Sequence, residues 1–108
     1  MEIILVMKDY DELLDLKNKV ESVYGREKIC TFQAAEDAAT YAKGRHIDVC
    51  YTEVVLKGMS GIALAKELKK KGEDLRINFI SDTQEYALDA WKLFINDYLL
   101  KPVSLSAV

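Results

Sequence analysis

Residues 3–7 read Ile3-Ile4-Leu5-Val6-Met7, five apolar side chains in a row. A strand with one wet face alternates apolar and polar residues. An unbroken apolar run of this length predicts a strand buried on both faces, as in parallel sheets covered by helices on each side. Working outward, residues 11–24 place Leu13, Leu16, Val20 and Val23 on one face of a helix, with Gly25 to end it. Residues 28–33 form a second strand. Residues 35–43 gather Ala35, Ala38, Ala39 and Ala42 on one helical face, with Glu36 and Asp37 in the first turn and Gly44 as the stop. Residues 47–52 are a third strand and 57–61 a loop. Residues 62–71 are a helix using Ile62, Ala65 and Leu68, ended by Gly72. Residues 76–80 are a fourth strand. Residues 84–94 are a helix with Ala87, Ala90, Trp91 and Phe94 on one face, so Trp91 and Phe94 are expected to pack in the core. Residues 97–100 are a short fifth strand that Lys101-Pro102 ends. Strands alternating with helices imply right-handed crossovers and one parallel sheet.

At 108 residues and 12.3 kDa the chain has the size of one domain. A fold of this mass exposes ~6,100 Å². Half of the residues are hydrophobic and 31% charged, which excludes a disordered or fibrous chain. The net charge of −3 gives no general attraction to nucleic acid or to an acidic membrane surface. No apolar run is long enough to span a bilayer, and residues 1–7 lack the basic lead of a signal peptide. Cys30 and Cys50 sit in apolar stretches, so both are expected as buried thiols in a reducing cytoplasm.

Composition also removes whole chemistries. His46 is the single histidine, and neither CxxC nor HxxxH spacing accompanies it, so no zinc site is expected. A triad would have to use His46, which reads as a surface loop residue after Lys43-Gly44-Arg45. GxGxxG and GxxxxGK[ST] are absent, and with them the phosphate-cradling loops.

Open parallel sheets place functional residues at the carboxyl ends of their strands. Here those ends carry Met7-Lys8-Asp9, Glu53, Ser81-Asp82 and Lys101, with Tyr98 three residues before the lysine. Such a set serves either an anion site or a structural ion pair with a capping serine. The order Phe79-Ile80-Ser81, Glu85-Tyr86-Ala87-Leu88-Asp89-Ala90, Asp97-Tyr98-Leu99-Leu100-Lys101-Pro102, together with Asp48, Glu53 and Gly58-Met59-Ser60-Gly61-Ile62-Ala63-Leu64-Ala65, resembles the receiver domains of two-component response regulators. Its nearest likeness is to the subclass that precedes LytTR-type DNA-binding domains. The resemblance covers nearly the whole chain. It implies a flavodoxin-like (βα)5 three-layer sandwich with strand order 2-1-3-4-5, the fifth helix being truncated or missing after residue 103. It implies a cytoplasmic regulator, with an output domain outside residues 1–108.

In that family an aspartate ending the third strand accepts a phosphoryl group and two acidic residues after the first strand hold Mg²⁺. A Ser/Thr and a lysine bind the phosphoryl oxygens, and an aromatic on the fifth strand changes rotamer when the site fills. By position Ser81 matches the hydroxyl, Lys101 the lysine and Tyr98 the aromatic. Glu53 stands at the phosphoacceptor position. Met7 and Lys8 occupy the acidic-pair positions in the ungapped register, with Asp9 nearby, and Asp82 replaces a small residue. Lys8, Glu53 and Lys101 sum to a positive site, or a neutral one with Asp9 added, so Mg²⁺ binding should be very weak and no cofactor is expected. Glu53 reaches ~1.5 Å further than an aspartate, towards Ser81 and Lys101. A Lys8–Glu53–Lys101 network in place of metal and phosphate is one reading; neutral drift is the other.

The implied function is a regulatory protein-interaction module, not an enzyme, acting through the 84–101 face on a protein partner or a second copy, with no nucleic acid bound by this domain and no membrane. The alternatives are a competent phospho-receiver served by a histidine kinase and, on fold grounds alone, a small-molecule binder. Tyr98 is either a rigid packed ring or the moving aromatic. Lys66, Lys69, Lys70 and Lys71 suit the carboxyl end of a helix.

Overall fold

The computed structural model describes residues 1–25, 27–70, 72 and 74–108. Five strands alternate with four helices: β1 (Glu2–Val6), α1 (Tyr10–Tyr24), β2 (Lys28–Phe32), α2 (Ala35–Ala42), β3 (Val49–Glu53), α3 (Gly61–Lys69), β4 (Arg76–Ser81), α4 (Ala87–Trp91) and β5 (Asp97–Leu100). A single 3₁₀ turn, Leu105–Ala107, stands where a fifth helix would begin. All strand pairs are parallel, in the order β2-β1-β3-β4-β5. This is the flavodoxin-like sandwich that the sequence implied. The surface is 6060 Å², close to the expectation from mass.

The apolar run does what its pattern dictates. Ile4 and Val6 enter one core layer with α2, α3 and α4, whereas Ile3, Leu5 and Met7 enter the other with Leu13, Leu16 and Val20 of α1. The strand is thus sealed on both faces. Asp9 caps α1 by accepting the Glu12 amide at 2.9 Å, and Gly25, at φ 76, closes it.

Several expectations need correction. Val23 is exposed, because the packed face of α1 runs through Leu13, Leu16, Val20 and Tyr24 and Val23 falls beside it. Cys30 is only half-buried and donates to the Tyr41 hydroxyl at 3.1 Å. Cys50 is fully buried, and burial pushes its thiol up to about 12. Helix α3 ends at Lys69, and Lys71 lies outside the described residues. Glu53 and Ser81 are the last residues of their strands, one position further than the pattern suggested.

The largest departure is the 84–94 segment. Only Ala87–Trp91 is helical. Tight i→i+3 bonds replace helical ones at both ends: Ala87 to Gln84, Leu93 to Ala90 and Phe94 to Trp91. Phe94 then turns into the left-handed region at φ 55, with its carbonyl held by Lys69 Nζ at 3.0 Å. Its ring is 88% exposed and Trp91 is 48% exposed. Neither is the core residue expected from the spacing. Among the described residues no helix is long and apolar enough to cross a membrane.

Candidate functional site

The sheet order reverses between β1 and β3, and the carboxyl ends of β1, β3, β4 and β5 meet at one edge there. Glu53 ends β3 with its side chain only 3% exposed. Its carboxylate is held on three sides. Oε1 accepts the Lys8 amide at 2.7 Å. Oε2 accepts Lys8 Nζ at 3.1 Å and Lys101 Nζ at 2.6 Å. Lys8 Nζ also donates to the Val55 carbonyl at 3.2 Å, and Lys101 Nζ to Glu12 Oε1 at 2.8 Å. Charge-assisted bonds of this length fix both lysines as well as the carboxylate.

The backbone builds this arrangement. Lys8 follows β1, whose register against β3 brings Val6 beside Thr52. Lys101 follows β5, its amide bonded to the Ser81 carbonyl at 3.0 Å, and precedes a cis peptide bond to Pro102. Gly61 at the start of α3 lies against the Glu53 carbonyl, and its amide bonds the Val54 carbonyl at 2.9 Å. In the loop between, Glu36 of α2 accepts the Met59 amide at 2.9 Å, which holds the Glu36 carboxyl below its ordinary value.

Of the residues singled out from sequence, Lys8, Glu53 and Lys101 come into direct contact. Met7 does not join them: it is buried beneath the site among Leu13 and Leu16. Asp9 is occupied as the cap of α1. The Ser81 hydroxyl accepts the Thr83 amide at 3.2 Å and, among the described residues, makes no bond to Glu53. Glu53 therefore does not reach Ser81 as anticipated. Tyr98 is half-buried, its hydroxyl donating to the Thr83 carbonyl at 2.7 Å. Sequence reasoning missed Glu12. A glutamate in the first turn of a helix is ordinary there, and nothing local marks it as a partner of Lys101. With Glu12 included, two ammonium groups meet two carboxylates, and Asp82 stands 3.9 Å from Lys101.

Burial pushes the Glu53 carboxyl upward, but its bonds to Lys101 and Lys8 outweigh that, and the net shift is down from 4.5. Burial likewise opposes the charge on Lys101, but Glu12 and Glu53 raise its pKa. A depressed carboxylate stabilises the fold in full above its unfolded value and loses that contribution as pH falls through the folded one. Urea unfolding should therefore show stability falling below about pH 4.5, and Glu53→Gln should remove part of that acid sensitivity. An unchanged acid limb in the variant would contradict the pairing.

A divalent cation needs clustered oxygen ligands; among the described residues no three His, Cys, Asp or Glu side chains form such a cluster, and Lys8 Nζ is bonded to the Glu53 carboxylate.

The profile of the family described as "Response regulator receiver domain" matches residues 4–108. The chain is 29% identical over 96 residues to the transcriptional regulatory protein NatR of Bacillus subtilis, covering 85% of this chain and 41% of that protein. It is 23% identical over 108 residues to the transcriptional regulatory protein YpdB of Escherichia coli K12, covering 100% and 44%. The chain thus spans less than half the length of these relatives. The crystal structure of the response regulatory domain of protein mrkE from Klebsiella pneumoniae superposes with a TM-score of 0.89 at 23% identity, covering 98% of this chain and 87% of that one.

Proposed function

Because this chain belongs to the response regulator receiver domain family, we propose that it serves two-component signalling as a receiver locked by its own charges, regulating through protein contact without Mg²⁺-dependent phosphorylation. One observation carries this reading: the Glu53 carboxylate, which the sequence resemblance sets at the phosphoacceptor position, is clamped between Lys8 and Lys101. Phosphoryl transfer rests on positioning and on neutralising the charge that develops. On this reading an ammonium takes the cation's place, and the longer carboxylate occupies the lysine, but not the Ser81 hydroxyl, that would hold phosphoryl oxygens. A glutamyl carboxylate that already accepts three bonds, one of them at 2.6 Å from the lysine meant for the incoming group, is a weakened nucleophile.

The output follows from the exposed 84–101 face. Leu88, Trp91 and Phe94 stand out from it, beside Asp89 and Lys92 of opposite sign. Apolar groups with both charges nearby suit a protein partner or a second copy. NatR and YpdB are both transcriptional regulators, and transcription is the proposed process. The competing reading, a phospho-receiver served by a histidine kinase, draws on Ser81 and Lys101 at the ends of β4 and β5.

The test is incubation with acetyl phosphate and Mg²⁺, followed by intact-mass spectrometry. The expected result is no phosphoryl adduct on the wild-type chain; an adduct on Glu53 would overturn the proposal. The output face has its own test. Phe94→Gly should leave stability unchanged within about 1 kcal/mol, or raise it by relieving φ 55, while weakening association in sedimentation velocity. A larger loss of stability would show that the ring is packed.

A further inference from the structure

The turn between β2 and α2 touches both loops that wall the Glu53 site. Phe32 pairs with Val6 in the register of β1 and β2, and its carbonyl accepts the Met7 amide at 3.1 Å. That register sets the next residue, Gln33, beside Lys8, and Gln33 Nε2 donates to the Lys8 carbonyl at 3.1 Å. Three residues on, in the first turn of α2, Glu36 Oε2 accepts the Met59 amide at 2.9 Å. The fit there is close: Gly58 sits at φ 74, and a Cβ on it would overlap the Glu36 carboxylate. One short segment therefore holds the loop after β1 and the loop after β3.

These loops carry half of the ion-pair network. Lys8 donates its amide to Glu53 Oε1 and its Nζ to Glu53 Oε2, and the same Nζ reaches the Val55 carbonyl at 3.2 Å. Lys8 keeps all three bonds only while its own loop and the Val55 loop hold their spacing. Gln33 and Glu36 brace that spacing from outside, and neither is bonded to Glu53 among the described residues. Both are exposed, whereas Glu53 is buried. The carboxylate is thus sealed, but its brace is open to solvent.

We propose that residues 33–36 are the release clasp of the locked site: when this turn is drawn off the two loops, Lys8 leaves Glu53. The clasp presupposes the locked site proposed above and is the exposed segment through which that lock is regulated.

The test follows the Glu53 carboxyl carbon by ¹³C NMR through an acid titration of the whole chain. In Gln33→Leu with Glu36→Ala the Glu53 midpoint should move to higher pH, a gain in proton affinity of about threefold or more, because charge-assisted bonds to the carboxylate weaken. The sign is decisive. Deleting the Glu36 charge by itself favours the ionised form of Glu53 and moves the midpoint the other way. A smaller rise in Gln33→Leu alone, which changes no charge, would support the clasp. Asp37→Ala, in the same first turn, removes a charge without touching the loop and should not raise the midpoint. Both clasp side chains are exposed, so the variants keep their fold. An unmoved or lowered midpoint in the double variant would overturn the proposal, as would an equal rise in Asp37→Ala. The adduct and Mg²⁺ tests of the lock use the wild-type chain, so a failure there is distinct from a failure here.

Discussion

Glu53→Ala is expected to lower the unfolding free energy by about 2–3 kcal/mol at neutral pH. Removing one partner of a buried ion pair costs ~3–5 kcal/mol, because the other charge is left buried and unpaired. The lower figure applies here because the lysines are not fully desolvated: Lys8 is 38% exposed and Lys101 15%. Lys101 also keeps Glu12. The Lys8 amide loses its acceptor as well. Urea unfolding gives the number. A double-mutant cycle with Lys101→Met separates attraction from desolvation. If Glu53 and Lys101 act as a pair, the double variant should be more stable than the sum of the two losses predicts. Additive losses would show that they do not interact.

Gly61→Ala should have the larger effect, above about 4 kcal/mol or no folded protein at all. A Cβ on Gly61 would sit 1.9 Å from the Glu53 carbonyl oxygen and 2.9 Å from its carbon. These are backbone atoms at the end of a buried strand, so no rotamer change relieves the overlap. The β3 end would have to move, carrying Glu53 away from both lysines. Gly44→Ala is the control. Gly44 has φ 74 but open space around its Cα, so the cost there is only the left-handed backbone, about 1 kcal/mol. Amide NMR spectra and urea midpoints of the two variants check the contrast. Equal, small losses would mean that α3 does not press on the site.

Much of the fold was legible because the local and global signals agree. The Ile3 to Met7 run, the glycines after the helices and the alternation of elements all point to one parallel sandwich. Helix α4 was misread because Ala87, Ala90, Trp91 and Phe94 have helical spacing on a segment too short to bury them. Periodicity reports which residues share a face, not whether anything covers it. The site was half legible. Lys8, Glu53 and Lys101 were identifiable because strand ends converge in this topology. Glu12 was not, because its bond to Lys101 joins α1 to β5 across 89 residues. Ser81 was placed correctly but its partner was not, since a hydroxyl at a strand end can serve the next loop, as it does for Thr83.

A locked receiver has a Glu53 site that neither takes up Mg²⁺ nor accepts a phosphoryl-type group. The most direct test is an amide NMR titration with Mg²⁺, with and without beryllofluoride as phosphoryl mimic. The predicted result is no shift at Glu53, Ser81, Tyr98 or Lys101 at Mg²⁺ concentrations far above those that fill ordinary oxygen-ligand sites. Saturable shifts at those four residues would contradict it and identify a working phospho-switch.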